Sequence, residues 1–189
     1  MIGRIWTTAA LVAMLAPAQD PHAHHQSPPT LVEGGWAIYR HKTAGFTFEH
    51  PAAWSVVSEK AGVSIHISHP TKALHLFAAA FTMSDGTLQA FAEQKFAVQR
   101  EIFKPVGAPH GIEGDGWRGL IEDADAAEGG ERARRRMLCA QHGDLFVSLT
   151  LYIDPSELAG PDGDYGRVFT SLRFDVGVDD PPSSPAPPR

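Results

Sequence analysis

Cysteine is almost missing from this chain: its 189 residues hold one, Cys139. A lone thiol closes no bridge within the chain, so no disulfide framework holds the fold and the core must do so. Its neighbours Met137, Leu138 and Ala140 are apolar, which predicts a buried, inert thiol. The short motifs that carry chemistry are missing too. There is no nucleophile elbow, no paired catalytic carboxylate motif and no His-Glu-x-x-His helix. Gly111-Ile112-Glu113-Gly114-Asp115-Gly116 is glycine-rich, but it lacks the lysine and the strand-to-helix setting of a phosphate loop. Ser84-Asp85-Gly86 and His142-Gly143-Asp144 read as turns. Positive charge is in short supply, with 16 basic residues against 22 acidic ones. That balance disfavours nucleic acid and anionic membrane surfaces as partners.

After residue 18 no apolar run is long enough to cross a bilayer. Before it, Arg4 precedes an apolar run from Ile5 to Leu15, broken only by Thr7 and Thr8, and Ala16-Pro17-Ala18 supplies small residues for cleavage. Residues 1–18 are therefore expected to be a secretory signal peptide, placing the mature chain in the periplasm or outside the cell. Cleavage removes one Arg and no acid, taking the net charge from −6 to −7. Residues 19–34 read as a flexible leader containing His22, His24, His25 and Pro28-Pro29. Its imidazoles suit copper, nickel or zinc. An amino-terminal copper site is excluded, because His22 would be fourth in the mature chain and Pro21 has no amide hydrogen. Residues 176–189 are proline-rich and cannot bury a core, so they are expected to be disordered.

Between these ends lies a chain whose 43% apolar content supports one domain, residues 35–175. In Gly45–Trp54, Phe46 and Phe48 point one way along a strand and Thr47 and Glu49 the other. Pro51 ends that strand, and Trp54 is placed to fold over the edge of the core. Trp36–His41 is predicted as the strand before it. Val63–Ser68 alternates strictly, with Ile65 and Ile67 opposite Ser64, His66 and Ser68. Ala73–Phe81 is more continuously apolar, as expected of a central strand covered on both faces. Thr87–Phe103 reads as a helix with Leu88, Phe91, Ala92, Lys95, Val98 and Ile102 on one face. Strands are expected over Trp117–Glu122, Arg132–Ala140 and Leu145–Ile153, and a short closing helix over Tyr165–Leu172.

This order of elements, from Gly45-Phe46-Thr47-Phe48-Glu49-His50-Pro51 and Trp54 to the ending Phe169-Thr170-Ser171-Leu172-Arg173-Phe174, resembles the Mog1/PsbP-like superfamily. The resemblance covers Gly35 to Phe174, and its motifs are structural. It implies an α/β (α+β) fold in which an antiparallel β-sheet has helices packed on both sides, an α/β/α sandwich. Members of that superfamily are accessory or adaptor proteins: photosystem subunits, a nuclear transport factor, secretion chaperones and exported bacterial proteins. Function does not travel with such a fold.

Two clusters are candidates for chemistry. If Ala73 pairs with Ser68, His66 falls opposite His75, close enough for two imidazoles to share a zinc or copper ion, with His69 in the loop as a third ligand. A one-residue slip would separate the pair. Arg132, Arg134 and Arg136 alternate along one strand face and could bind a phosphate, a carboxylate or an acidic partner, unless Glu122, Asp123 and Asp125 on the neighbouring arm neutralise them. Exposed aromatics such as Trp36, Tyr39, Trp54 and Trp117 would build a protein-binding surface. The resulting expectation is an exported, non-catalytic accessory or adaptor module that needs no cofactor to fold and binds a protein or other component of the cell envelope. A periplasmic metal-binding protein using the sheet histidines, or a small hydrolase without a recognisable motif, are the alternatives.

Overall fold

A computed structural model describes residues 30–41, 43–60, 64–71, 74–126, 133–153 and 165–175. Residues 1–18, expected to be a signal peptide, most of the expected leader and the proline-rich residues 176–189 lie outside the described residues. Two antiparallel sheets form. The smaller has the order β1 (Thr30–Val32), β2 (Trp36–Arg40), β3 (Phe46–Pro51) and β12 (Arg173–Phe174). The larger has the order β4 (Ser55–Lys60), β5 (Ser64–Ser68), β6 (His75–Thr82), β11 (Leu145–Ile153), β10 (Arg134–His142), β9 (Trp117–Ala126) and β7 (Phe103–Pro105). A further strand, β8 (His110–Gly114), shares the outer edge of β9 with β7. Thr30–Val32, expected to belong to the leader, instead pair with β2 and extend the domain towards the amino terminus.

Alternation sets which residues point inward. Phe46 and Phe48 of β3 and Ile65 and Ile67 of β5 are buried in the main core, where each large apolar side chain removed from water contributes about 1.5–3 kcal/mol. That core lies between the small sheet and one face of the large sheet, the latter supplying Leu76, Leu138, Leu149 and Leu151. The short helix α2 (Gly166–Thr170) adds Val168 and Phe169 to the same layer and packs on β3. Trp54 closes this core between His69 and Tyr165.

The opposite face of the large sheet is covered by α1 (Leu88–Arg100). Thr87 caps it, its Oγ1 accepting the Ala90 N–H at 3.2 Å. Leu88, Phe91, Ala92 and Phe96 face Met137, Cys139 and Phe146 of the sheet. Lys95 lies along this seam with its Nζ 3.8 Å from the centre of the Phe81 ring. Val98 and Ile102, expected on the inner face, are exposed, and Phe96 takes the inward position instead. The helix ends at Arg100, so Phe103 belongs to β7 and packs inward from a strand. The long helix thus covers one face of the large sheet, whereas the second sheet and the short α2 cover the other. This replaces the expected single sheet flanked by helices. Among the described residues, no helix is long and apolar enough to cross a membrane.

Candidate functional site

Helix α1 packs chiefly on β10, β9 and β7. Beyond its footprint, the β5 strand and the first half of β6 carry a shelf of aromatic and imidazole side chains. Register decides which residues meet there. Ser68 pairs with His75 and His66 with Phe77 on one side, while Tyr152 of β11 pairs with His75 on the other. His66, Ser68, His75, Phe77 and Tyr152 therefore share one face. The rings of His66 and Phe77 stack, with centroids 4.3 Å apart and planes 9° from parallel. Phe77 meets Tyr152 edge-on at 5.8 Å. Tyr152 Oη–H donates to Gln99 Oε1 of α1 at 3.0 Å, fastening the helix end to the rim of the shelf. Burial pushes the Tyr152 hydroxyl above its ordinary range, opposed by the Arg135 cation. Phe77 itself is 40% exposed, although the apolar run of β6 suggested a strand covered on both faces.

His66 and His75 come together here, but not in the expected register. The turn is centred one residue further along the chain: the His69 N–H bonds the Leu74 carbonyl, and Ser68 faces His75 rather than Ala73. A shift of two residues preserves the face, since side chains alternate with period two. The two histidines are thus diagonal rather than opposed, and their rings span the diagonal, with His66 Nε2 3.0 Å from His75 Nδ1. Partial burial, and then the neighbouring His75, hold His66 below the ordinary histidine range. His69 does not join them. Its Nδ1 accepts the Thr71 N–H at 3.1 Å, and its ring sits edge-on to Trp54. Among the described residues, no three His, Cys, Asp or Glu side chains gather as a metal site would require.

The arginine stripe is neutralised where it is described. Arg134 makes a two-pronged pair with Asp125 at 2.7 and 3.2 Å, and Arg136 makes one with Asp123 at 2.8 and 3.0 Å. These are the cross-strand partners that the β9–β10 register dictates. Arg132 lies outside the described residues. A cleft of about 350 Å³ between β8, β9 and α2 is lined by His110, Ile112, Asp123, Arg136 and Phe169, but the Arg136 charge there already meets Asp123. On the other face of β10, Arg135 and Glu122 are fully buried and pair with each other, and Arg100 of α1 reaches the second Glu122 oxygen. Among the described residues, the Nε and Nη1 of Arg135 have no hydrogen-bond partner.

The aromatics proposed from sequence as a contact surface are core residues. Trp36, Tyr39, Trp54 and Trp117 are all buried. Trp36 lies under the Arg167 guanidinium, and Trp117 Nε1–H donates to the Leu172 carbonyl. Cys139 is buried beneath α1, and burial pushes its thiol up to about 12. Sequence reasoning missed Phe77 and Tyr152, because nothing in a largely apolar strand shows how far the helix that follows it reaches across the sheet.

No protein-family model matches the sequence, and no curated protein is similar to it. The solution structure of cyanobacterial PsbP (CyanoP) from Synechocystis sp. PCC 6803 is similar in fold, with a TM-score of 0.60 at 12% identity over 79% of this chain and 98% of that one. A protein of unknown function from Pseudomonas aeruginosa aligns over 78% of this chain and 99% of its own, with a TM-score of 0.44 and 16% identity. A Bacteroides thetaiotaomicron structure aligns over 76% of this chain and 49% of its own, with a TM-score of 0.48 and 14% identity. The chain has a PsbP-like fold.

Proposed function

We propose that this chain is an exported, non-catalytic accessory module that holds another protein of the cell envelope against the open part of its large sheet. The observation that carries the reading is Phe77, an aromatic side chain 40% exposed at the centre of a shelf whose described members, His66, Ser68, His75 and Tyr152, are uncharged or titratable rather than permanently ionic. Aromatic enrichment with few fixed charges is the composition of the centre of a protein interface, not of a phosphate or nucleic-acid site. Exposed Val57 at the irregular pairing of β4 extends the apolar surface towards the sheet edge.

The test is site-specific photo-crosslinking in the envelope of the producing cell. A benzophenone side chain at position 77 is expected to trap one discrete protein. The same probe at Val98, exposed on the outer side of α1, is expected to trap none. Equal patterns from the two positions, or no adduct at 77, would sink the proposal.

A further inference from the structure

The contact between His66 and His75 is a hydrogen bond that only some protonation states allow. His66 Nε2 and His75 Nδ1 lie 3.0 Å apart, so one nitrogen donates its hydrogen and the other keeps a bare lone pair to accept it. Two neutral rings meet that condition, and so does one cation beside one neutral ring. Two cations do not. Both facing nitrogens would then carry a hydrogen, and two positive rings would sit with centroids 5.1 Å apart. We propose that this pair is a proton-operated switch of the docking shelf, closed while either ring is neutral and opened when both are cations, so that acid releases the bound protein. That role rests on the docking function proposed above.

The pair is joined to the part of the shelf that a partner meets. The His66 ring stacks on Phe77 at 4.3 Å, and the His75 ring lies 6.4 Å from Phe77. Separating the two histidines removes the ring that supports Phe77 and sets two charges around an apolar contact centre, where binding would have to desolvate them. Both residues belong to paired strands, His66 between Ser58 and Phe77 and His75 between Ser68 and Tyr152. The strands therefore stay paired and the rings rotate apart. The groups around the pair supply no counter-charge. β4 brings the Lys60 position through its pairing with Ser64, and β11 brings the Tyr152 hydroxyl, bonded to the neutral Gln99 of α1. Beyond Tyr152, Arg135 of β10 is fully buried and paired with Glu122. Burial, and then His75, lowers the proton affinity of His66, and among the described residues no carboxylate offsets them. The second proton thus enters below the ordinary histidine value of 6.5, and the closed pair is kept above that range and lost as pH falls through it.

Two measurements test the switch separately from the docking reading. In the free chain, the ring resonances of His66, His75 and Phe77 are followed by NMR from about pH 8 to about pH 5. The histidines are expected to titrate as a coupled pair, with the second step below 6.5 and the Phe77 ring moving in that step. Independent titrations that leave Phe77 unmoved would overturn the switch. The protein trapped from position 77, purified, is then bound to the wild-type chain at about pH 7.5 and at about pH 5. At least a tenfold loss of affinity at the lower pH is expected. In the double variant His66→Gln, His75→Gln that ratio should largely disappear, whatever the affinity at the higher pH. Equal wild-type affinity at both pH values, or an unchanged ratio in the double variant, overturns the switch and leaves the docking reading standing. If no protein is trapped at position 77, the docking reading falls and the release role with it. Where the double variant does not fold, the ring titration of the wild-type chain decides.

Discussion

Replacing Glu122 should cost far more than replacing Arg135, although the two form a single buried pair. Both side chains are 0% exposed, while Arg100, the third member, is 31% exposed. Glu122→Gln leaves the Arg135 cation buried beneath α1 with no counter-charge, its Nε and Nη1 already lacking partners. Breaking a buried pair in this way costs about 3–5 kcal/mol. Arg135→Met has the opposite balance. It removes the buried cation together with those unpaired donors, and the methionine stem can lie against Phe103 where the guanidinium lay, 5.8 Å from the ring. Glu122 then still accepts from Arg100 Nε at 3.0 Å and from Arg100 Nη2. The expected loss is about 1 kcal/mol or less, since apolar replacement of buried ion pairs is often neutral. Urea unfolding followed by circular dichroism reads the difference. With a slope of about 2 kcal/mol per molar, the Glu122→Gln midpoint should fall by roughly 2 M and that of Arg135→Met by less than about 0.5 M. An Arg135→Met loss equal to or larger than that of Glu122→Gln would refute the reasoning.

Other outcomes follow from the same structure. A Cβ at Gly114 would lie 2.1 Å from Trp117 Nε1, so Gly114→Ala must displace the indole and break its bond to the Leu172 carbonyl. The expected cost is about 2–3 kcal/mol, with a changed near-ultraviolet tryptophan signal. His50 is buried, and burial lowers its proton affinity below the ordinary 6.5, partly offset by its bond to the Pro51 carbonyl. Its contribution to stability is therefore complete above pH 6.5 and is lost as pH falls through the folded value, with a slope of at most about 1.4 kcal/mol per pH unit. Urea midpoints measured across that range should flatten in His50→Leu. The Cys139 thiol, pushed up to about 12, should react with iodoacetamide only after unfolding, so its labelling rate at pH 8 should rise with urea along the unfolding curve. Rapid labelling of the native protein would contradict that burial.

Local chemistry was legible in the sequence. The alternation of Phe46 and Phe48, that of Ile65 and Ile67, and the start of the helix at Thr87 all appear where the pattern places them. What depended on distant elements was not. The inward stripe of α1 runs through Phe96 rather than Val98, because both phases are apolar and only the sheet beneath selects between them. The tryptophans are buried because a second sheet covers them, and that sheet includes β1 and β12, which are too short to leave an alternating pattern. His66 and His75 meet as the sequence suggested, but the register rests on the length of a turn that alternation does not encode. The exposure of Phe77 depends on where α1 stops, a property of packing rather than of β6.

The most direct measurement of the central claim is the affinity of the protein trapped from position 77, purified, for the wild-type chain and for Phe77→Ser, with Val98→Ser as control. An interface centred on the shelf predicts at least a tenfold loss of affinity for Phe77→Ser, about 1.4 kcal/mol, and none for Val98→Ser. Equal affinity for all three chains would place the partner elsewhere and contradict the account.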